Sequence, residues 1–133
     1  MIHHFEYNVS DLKKSRSFYD KFLKQLGWKR FMTHTDVIGY TDGMLKLFLV
    51  QVEKRFATKK FHRKQVGLNH IAFRVGSKKK VDVFHAFLKR RKIIILYGGP
   101  KDYSAEYSEG YYAVFFEDPD RIKLEVVFAP DVK

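Results

Sequence analysis

Three residues stand out by type and spacing as able to hold or move charge: His4, His70 and Glu125. Each lies in a stretch of period two. Phe5, Tyr7 and Val9 point one way, with His4, Glu6 and Asn8 the other; Ile71, Phe73 and Val75 alternate with His70, Ala72 and Arg74; Glu125 alternates with Leu124, Val126 and Phe128. In a strand this places the polar residues on the face opposite the apolar one. If two such sheets curl toward each other, two imidazoles and a carboxylate converge. That donor set suits a borderline or hard divalent ion and leaves positions open for water or substrate. Such an ion polarises an oxygen or lowers the pKa of bound water. Mn2+, Fe2+, Zn2+ and Ni2+ all satisfy it.

Other residues join by position. Glu6 shares the His4 face, about 7 Å along the strand, where a carboxylate serves as a general base. Lys46, Arg74 and Lys123 fall on the same faces and suit an anionic group. Tyr103, Tyr107, Tyr111 and Tyr112 flank a long loop, as aromatic hydroxyls on a substrate lid do, and Tyr111 is taken as substrate-binding. Each residue alone has an ordinary reading: a packed histidine, a solvated acid, a Glu6–Arg74 salt bridge, an edge packed on a partner chain. His3 should point to the opposite side from His4, and His34, His62 and His85 read as surface residues.

These positions need elements to hold them. Residues 2–9 read as a strand, and Ser10-Asp11 offers a helix N-cap. Leu12, Ser15, Tyr19, Phe22, Leu23 and Leu26 recur at helical spacing, with Gly27 at the C-terminal cap. Trp28–Thr33, Val37–Thr41 and Leu45–Val50 read as strands, Asp42-Gly43 as a turn. A basic connector over 53–66 follows, and the pattern restarts. After the His70 stretch, Ser77 caps a helix bearing Val81, Phe84, Phe87 and Leu88. Ile93–Tyr97, Tyr111–Phe116 and Ile122–Phe128 read as strands, separated by a loop at 98–110.

This is an internal repeat. At an offset of 66, His4 falls on His70 and Phe18 on Phe84; at 77, Phe48 falls on Glu125. The loop at 98–110 absorbs the difference. The expectation is an α+β chain of two tandem βαβββ modules, 1–52 and 67–130, sharing one domain.

Composition narrows the classes. The 133 residues, 45% apolar with 22 aromatics, allow roughly two-thirds of the surface to be buried, enough for one core. No cysteine means no disulfides, no thiolate metal ligands and no cysteine nucleophile, and it fits a reducing compartment. No apolar run approaches a membrane span, and the N-terminal stretch has no secretory pattern, so a soluble cytoplasmic protein with no membrane partner is expected. The net charge of +11 falls mostly on helices and connector, without a basic–aromatic RNA-binding pattern or helix-turn-helix spacing, so no nucleic-acid partner is expected.

The stretches H-x4-VSDLxxSxxFY (His4 to Tyr19), GLNHIAFRV (Gly67 to Val75) and YYAVFFEDPDRIKLEVV (Tyr111 to Val127) resemble the vicinal oxygen chelate superfamily: glyoxalase I, fosfomycin- and bleomycin-resistance proteins and extradiol dioxygenases. The resemblance spans the chain. It implies a cupped, barrel-like mixed sheet with helices outside, and a homodimer. It also implies metal ligands at a histidine in each module's first strand and an acid in each last strand. His4, His70 and Glu125 match; Phe48 stands at the fourth position and cannot ligate. Arg121 replaces the glycine of the family's usual DPDG turn.

The resemblance thus points to a small metal-dependent enzyme with a three-ligand His/His/Glu site. Fosfomycin-modifying or dioxygenase-like chemistry is favoured over glyoxalase I, on a small anionic, oxygen-bearing substrate. The alternative is a metal-free ligand-sequestering protein of the bleomycin-resistance type.

Overall fold

Asp11 starts the first helix as its chemistry predicts: its carboxylate accepts the Lys14 amide at 3.0 Å, satisfying a donor that the helix leaves orphaned. The computed structural model describes residues 1–130. The first module runs β1 (His4–Val9), α1 (Leu12–Gln25), β2 (Lys29–Thr33), β3 (Val37–Thr41) and β4 (Lys46–Gln51). The second runs β5 (Ile71–Arg74), α2 (Lys78–Arg90), β6 (Ile95–Asp102), β7 (Tyr112–Glu117) and β8 (Lys123–Phe128). Between them lies a single 3-10 turn at Lys54–Phe56. The chain divides into two compact units, Met1–Phe61 and the stretch from His62 onward, and the division falls within the basic connector.

Each unit is one four-stranded mixed sheet with a helix on one face, which makes the fold α+β. The strand orders are β1-β4-β3-β2 and β5-β8-β7-β6. In both, the first strand pairs in parallel with the last, and the other pairings are antiparallel. The apolar alternation explains the layers. In the first unit Val9, Ile38, Tyr40, Leu47 and Leu49 are buried, as are Tyr19, Phe22 and Leu23 of α1. In the second, Val114, Phe116, Leu124 and Val126 are buried, as are Val81, Phe84 and Leu88 of α2. The helix side of β1 is fixed by Tyr7, whose hydroxyl donates to that of Tyr19 at 2.6 Å.

Three local expectations are corrected. β6 continues through Gly98-Gly99-Pro100 to Asp102, because the glycines form a bulge that shifts the register between Leu96 and Lys101 and lets the strand resume. His70 sits just before β5, at the strand's mouth. His85 is half-buried on α2: a Cβ placed on Gly99 would stand 3.4 Å from its Nε2. No helix among the described residues is long and apolar enough to cross a membrane.

Candidate functional site

Glu125 is the polar residue most completely enclosed by the second unit, at 1% exposure. Its neighbours Leu124 and Val126 face the helix, so its carboxylate lies on the other face, opposite Phe115 in the ladder. A buried carboxylate must be answered by donors. The Tyr111 hydroxyl donates to Oε1 at 2.6 Å, and His70 Nε2 stands 3.0 Å from Oε2. His70 Nδ1 in turn lies 2.6 Å from Asn69 Oδ1, which fixes the ring from behind. Burial, then the hydrogen bond to Glu125, pushes the Tyr111 phenol well above its ordinary range, so it remains a proton donor.

The loop after β6 builds the wall around this carboxylate. Tyr103 and Tyr111 pack with Leu96 and Ala129 against the buried cluster Ala113, Phe115 and Val127. The Tyr107 ring stacks 4.7 Å from Tyr111, and Tyr103 meets Phe115 edge-on at 5.5 Å. Asp102 anchors the loop start by accepting the Ser104 amide at 2.9 Å, and Tyr103 N donates to Tyr111 O at 2.8 Å. Of the tyrosines expected as a lid, Tyr103 and Tyr111 are thus packed onto the sheet, Tyr107 lies exposed over them, and Tyr112 faces the helix, donating to Asp82 at 2.7 Å. The Lys123 ammonium lies 4.8 Å from the Phe115 centroid. Arg74 is exposed, and its guanidinium donates to the Ala129 carbonyl.

The first unit carries a different surface on its helix-free face. Phe48 occupies the position equivalent to Glu125, and the His4 ring meets it edge-on at 5.5 Å. Phe31 adds a second aromatic 5.8 Å from Phe48, and the Lys46 ammonium lies 5.7 Å over the Phe31 ring. Both rings close over Gly39, where a Cβ would fall 2.9 Å from Phe31 and 3.0 Å from Phe48. Glu6 is exposed on this face, in register with Phe48. His3, expected to point away, brings its Nδ1 within 2.9 Å of His4 Nδ1.

The second unit thus brings together His70, Glu125 and Tyr111, with Lys123 beside Phe115. His4, Glu6 and Lys46 belong to the first unit. The His70 nitrogen and Glu125 oxygen, side by side, are donors of the kind a divalent ion takes. Among the described residues, however, no group of three or more His, Cys, Asp or Glu side chains is gathered to hold a metal ion. The fit is therefore two donors deep. Sequence reasoning missed Asn69 and Phe115. Phe115 lay open to it as the residue alternating onto the Glu125 face.

A family model described as the glyoxalase/bleomycin resistance protein/dioxygenase superfamily matches residues 1–126. Protein YqjT of Bacillus subtilis (strain 168), described as uncharacterized, is 40% identical over 126 residues, covering 95% of this chain and 97% of that protein. The crystal structure of a candidate glyoxalase from Bacillus halodurans is 41% identical with a TM-score of 0.85, covering 97% of this chain and 96% of that one. The genomically encoded fosfomycin resistance protein FosX of Listeria monocytogenes, at 16% identity and a TM-score of 0.72, covers 98% and 93% respectively and shares the fold alone.

Proposed function

The chain belongs to the glyoxalase/bleomycin resistance protein/dioxygenase superfamily, and on that premise we propose that it is a metal-dependent enzyme acting on a small, anionic, oxygen-bearing substrate. In this reading His70 and Glu125, both of the second unit, serve as two metal donors. The reading is carried by His70 Nε2 and Glu125 Oε2 converging to 3.0 Å around an enclosed carboxylate. A bound divalent ion supplies Lewis-acid polarisation of a substrate oxygen. The chain's own residues do the rest. Tyr111 holds the carboxylate in one orientation through Oε1, Asn69 holds the imidazole, and the packed aromatics shield the Glu125 carboxylate, which is 1% exposed. Lys123 and Arg74 of the second unit are assigned the role of attracting the anion. Phe48, packed between His4 and Phe31, offers no oxygen, which supports fosfomycin-modifying or dioxygenase-like chemistry over a four-ligand glyoxalase site. The protein is assigned to the cytoplasm as a homodimer; light scattering at a molar mass near twice the chain's 15.8 kDa checks the dimer.

A second reading, metal-free sequestration of a ligand, is favoured by the two-donor fit and by Tyr111 and His70 already answering both Glu125 oxygens. Metal content of untagged protein after incubation with Mn2+, Fe2+, Zn2+ or Ni2+ decides between them. The expected result is roughly one tightly held ion per chain, lost in His70→Ala and Glu125→Gln. Equally negligible metal in wild type and all variants gives the sequestering function.

A further inference from the structure

The bulge in β6 has an unusual backbone. Tyr97, Gly98 and Gly99 take φ of 58°, 81° and 114°, three successive residues in the left-handed half of the map. Glycine accepts this freely, but a tyrosine there costs free energy that the surrounding structure must offset. The bulge is also packed: Gly99 is buried beneath His85 of α2. Its visible result is the placement of the Tyr97 ring. That residue is 48% exposed, meets Phe115 at 5.4 Å and 73°, and lies 5.1 Å from the Lys123 ammonium.

Lys123 is thereby held against two rings. Its ladder partner is Glu117, but that carboxylate is taken by Arg63 at 2.9 Å and Arg121 at 3.4 Å. Aromatic faces steady an ammonium without cancelling its charge, and they leave part of its three-donor set open to an acceptor. Holding a long, flexible side chain in place before a ligand arrives removes an ordering cost from binding. Glu125 lies two residues along the same face of β8.

We propose that Tyr97 is a positioning residue whose left-handed backbone fixes Lys123, which has no ion pair among the described residues, as a cation beside the His70–Glu125 pair, where it receives the carboxylate, phosphate or phosphonate oxygens of an anionic ligand. The proposal rests on the reading of this face as the ligand site and names the group that selects the ligand's charge. A bulge that serves packing alone would leave ligand binding insensitive to the Tyr97 ring.

Calorimetric titration at constant ionic strength, with inorganic phosphate and methylphosphonate as probes, tests it on metal-free protein. Wild type should bind at least one probe. Lys123→Met should lose about tenfold or more in affinity and Lys123→Arg should largely keep it. Tyr97→Phe, which retains the ring, should bind as wild type. Tyr97→Asn should lose about two- to fivefold in affinity while its thermal midpoint holds or rises, because asparagine tolerates positive φ. The proposal is overturned if wild type binds neither probe, if Lys123→Met binds as wild type, or if Tyr97→Asn keeps its affinity or loses stability and affinity together. Metal content of the same proteins separates this from the metal reading. Lys123-dependent anion binding without metal retention sinks that reading alone; metal retention with unchanged binding in Lys123→Met sinks this one alone.

Discussion

Glu125 is a carboxylate taken almost out of water, and Tyr111 is the neutral donor that makes this tolerable. Tyr111→Phe keeps the ring and its packing and removes only the hydroxyl. One Glu125 oxygen then loses its donor, and stability should fall by about 1–3 kcal/mol in chemical denaturation. A change below the scatter of the measurement would mean that water replaces the phenol. Strand alternation in the sequence put Glu125 on the helix-free face by counting. It could not show the hydrogen bond from Tyr111, since that depends on how a loop folds back over 14 residues of chain. Nor could it show the contact between the His3 and His4 rings, because His3 precedes β1 and is not bound by the strand's period.

Among the elements, the two helices end differently. Gly27 follows α1 with φ 82°, as a glycine after a C-cap should, whereas Lys92 follows α2 with φ 55°. Lys92→Gly should therefore raise stability by about 0.5–1 kcal/mol, read as a shift in denaturation midpoint with unchanged slope. Gly39 has the opposite requirement. Its backbone is ordinary, but the Phe31 and Phe48 rings occupy the space of a side chain. Gly39→Ala should cost about 1–3 kcal/mol, and adding Phe31→Ala should relieve part of the clash. Non-additive denaturation energies would show the coupling; strict additivity would refute it. Helices and most strands were legible because capping residues and periodicity act locally. The continuation of β6 was not, since a Gly-Gly-Pro run breaks a strand or bulges it according to which residues sit beneath, here His85.

At the scale of the whole molecule, tyrosines in both units hold their protons more tightly than free phenols. Tyr112 is pushed up to about 12 by its hydrogen bond to Asp82 and then by burial, while burial first and a carboxylate partner second raise Tyr40 and Tyr111. The folded state thus binds these protons better than the unfolded chain. The stabilisation is complete below the ordinary phenol value of 10.0 and drains as the pH rises through the folded values. Denaturation midpoints should fall between about pH 10 and 12 together with a late rise in tyrosinate absorbance; tyrosines all titrating near the ordinary value would refute this. The repeat, and with it the superfamily, was legible because both modules follow one pattern. In each, the closing strand pairs in parallel with the opening one. Since 42 residues separate His4 from Lys46 and 53 separate Ala72 from Glu125, neither sheet can be completed until nearly its whole unit is available. A chain emerging from the ribosome can zip up β1 with β4 while β8 is still unsynthesised, which makes assembly vectorial, and the carboxylate on which the proposed chemistry depends is among the last side chains to find its place. Proteolysis of stalled nascent chains should find the first unit protected before the second; simultaneous protection would mean that the halves fold only together.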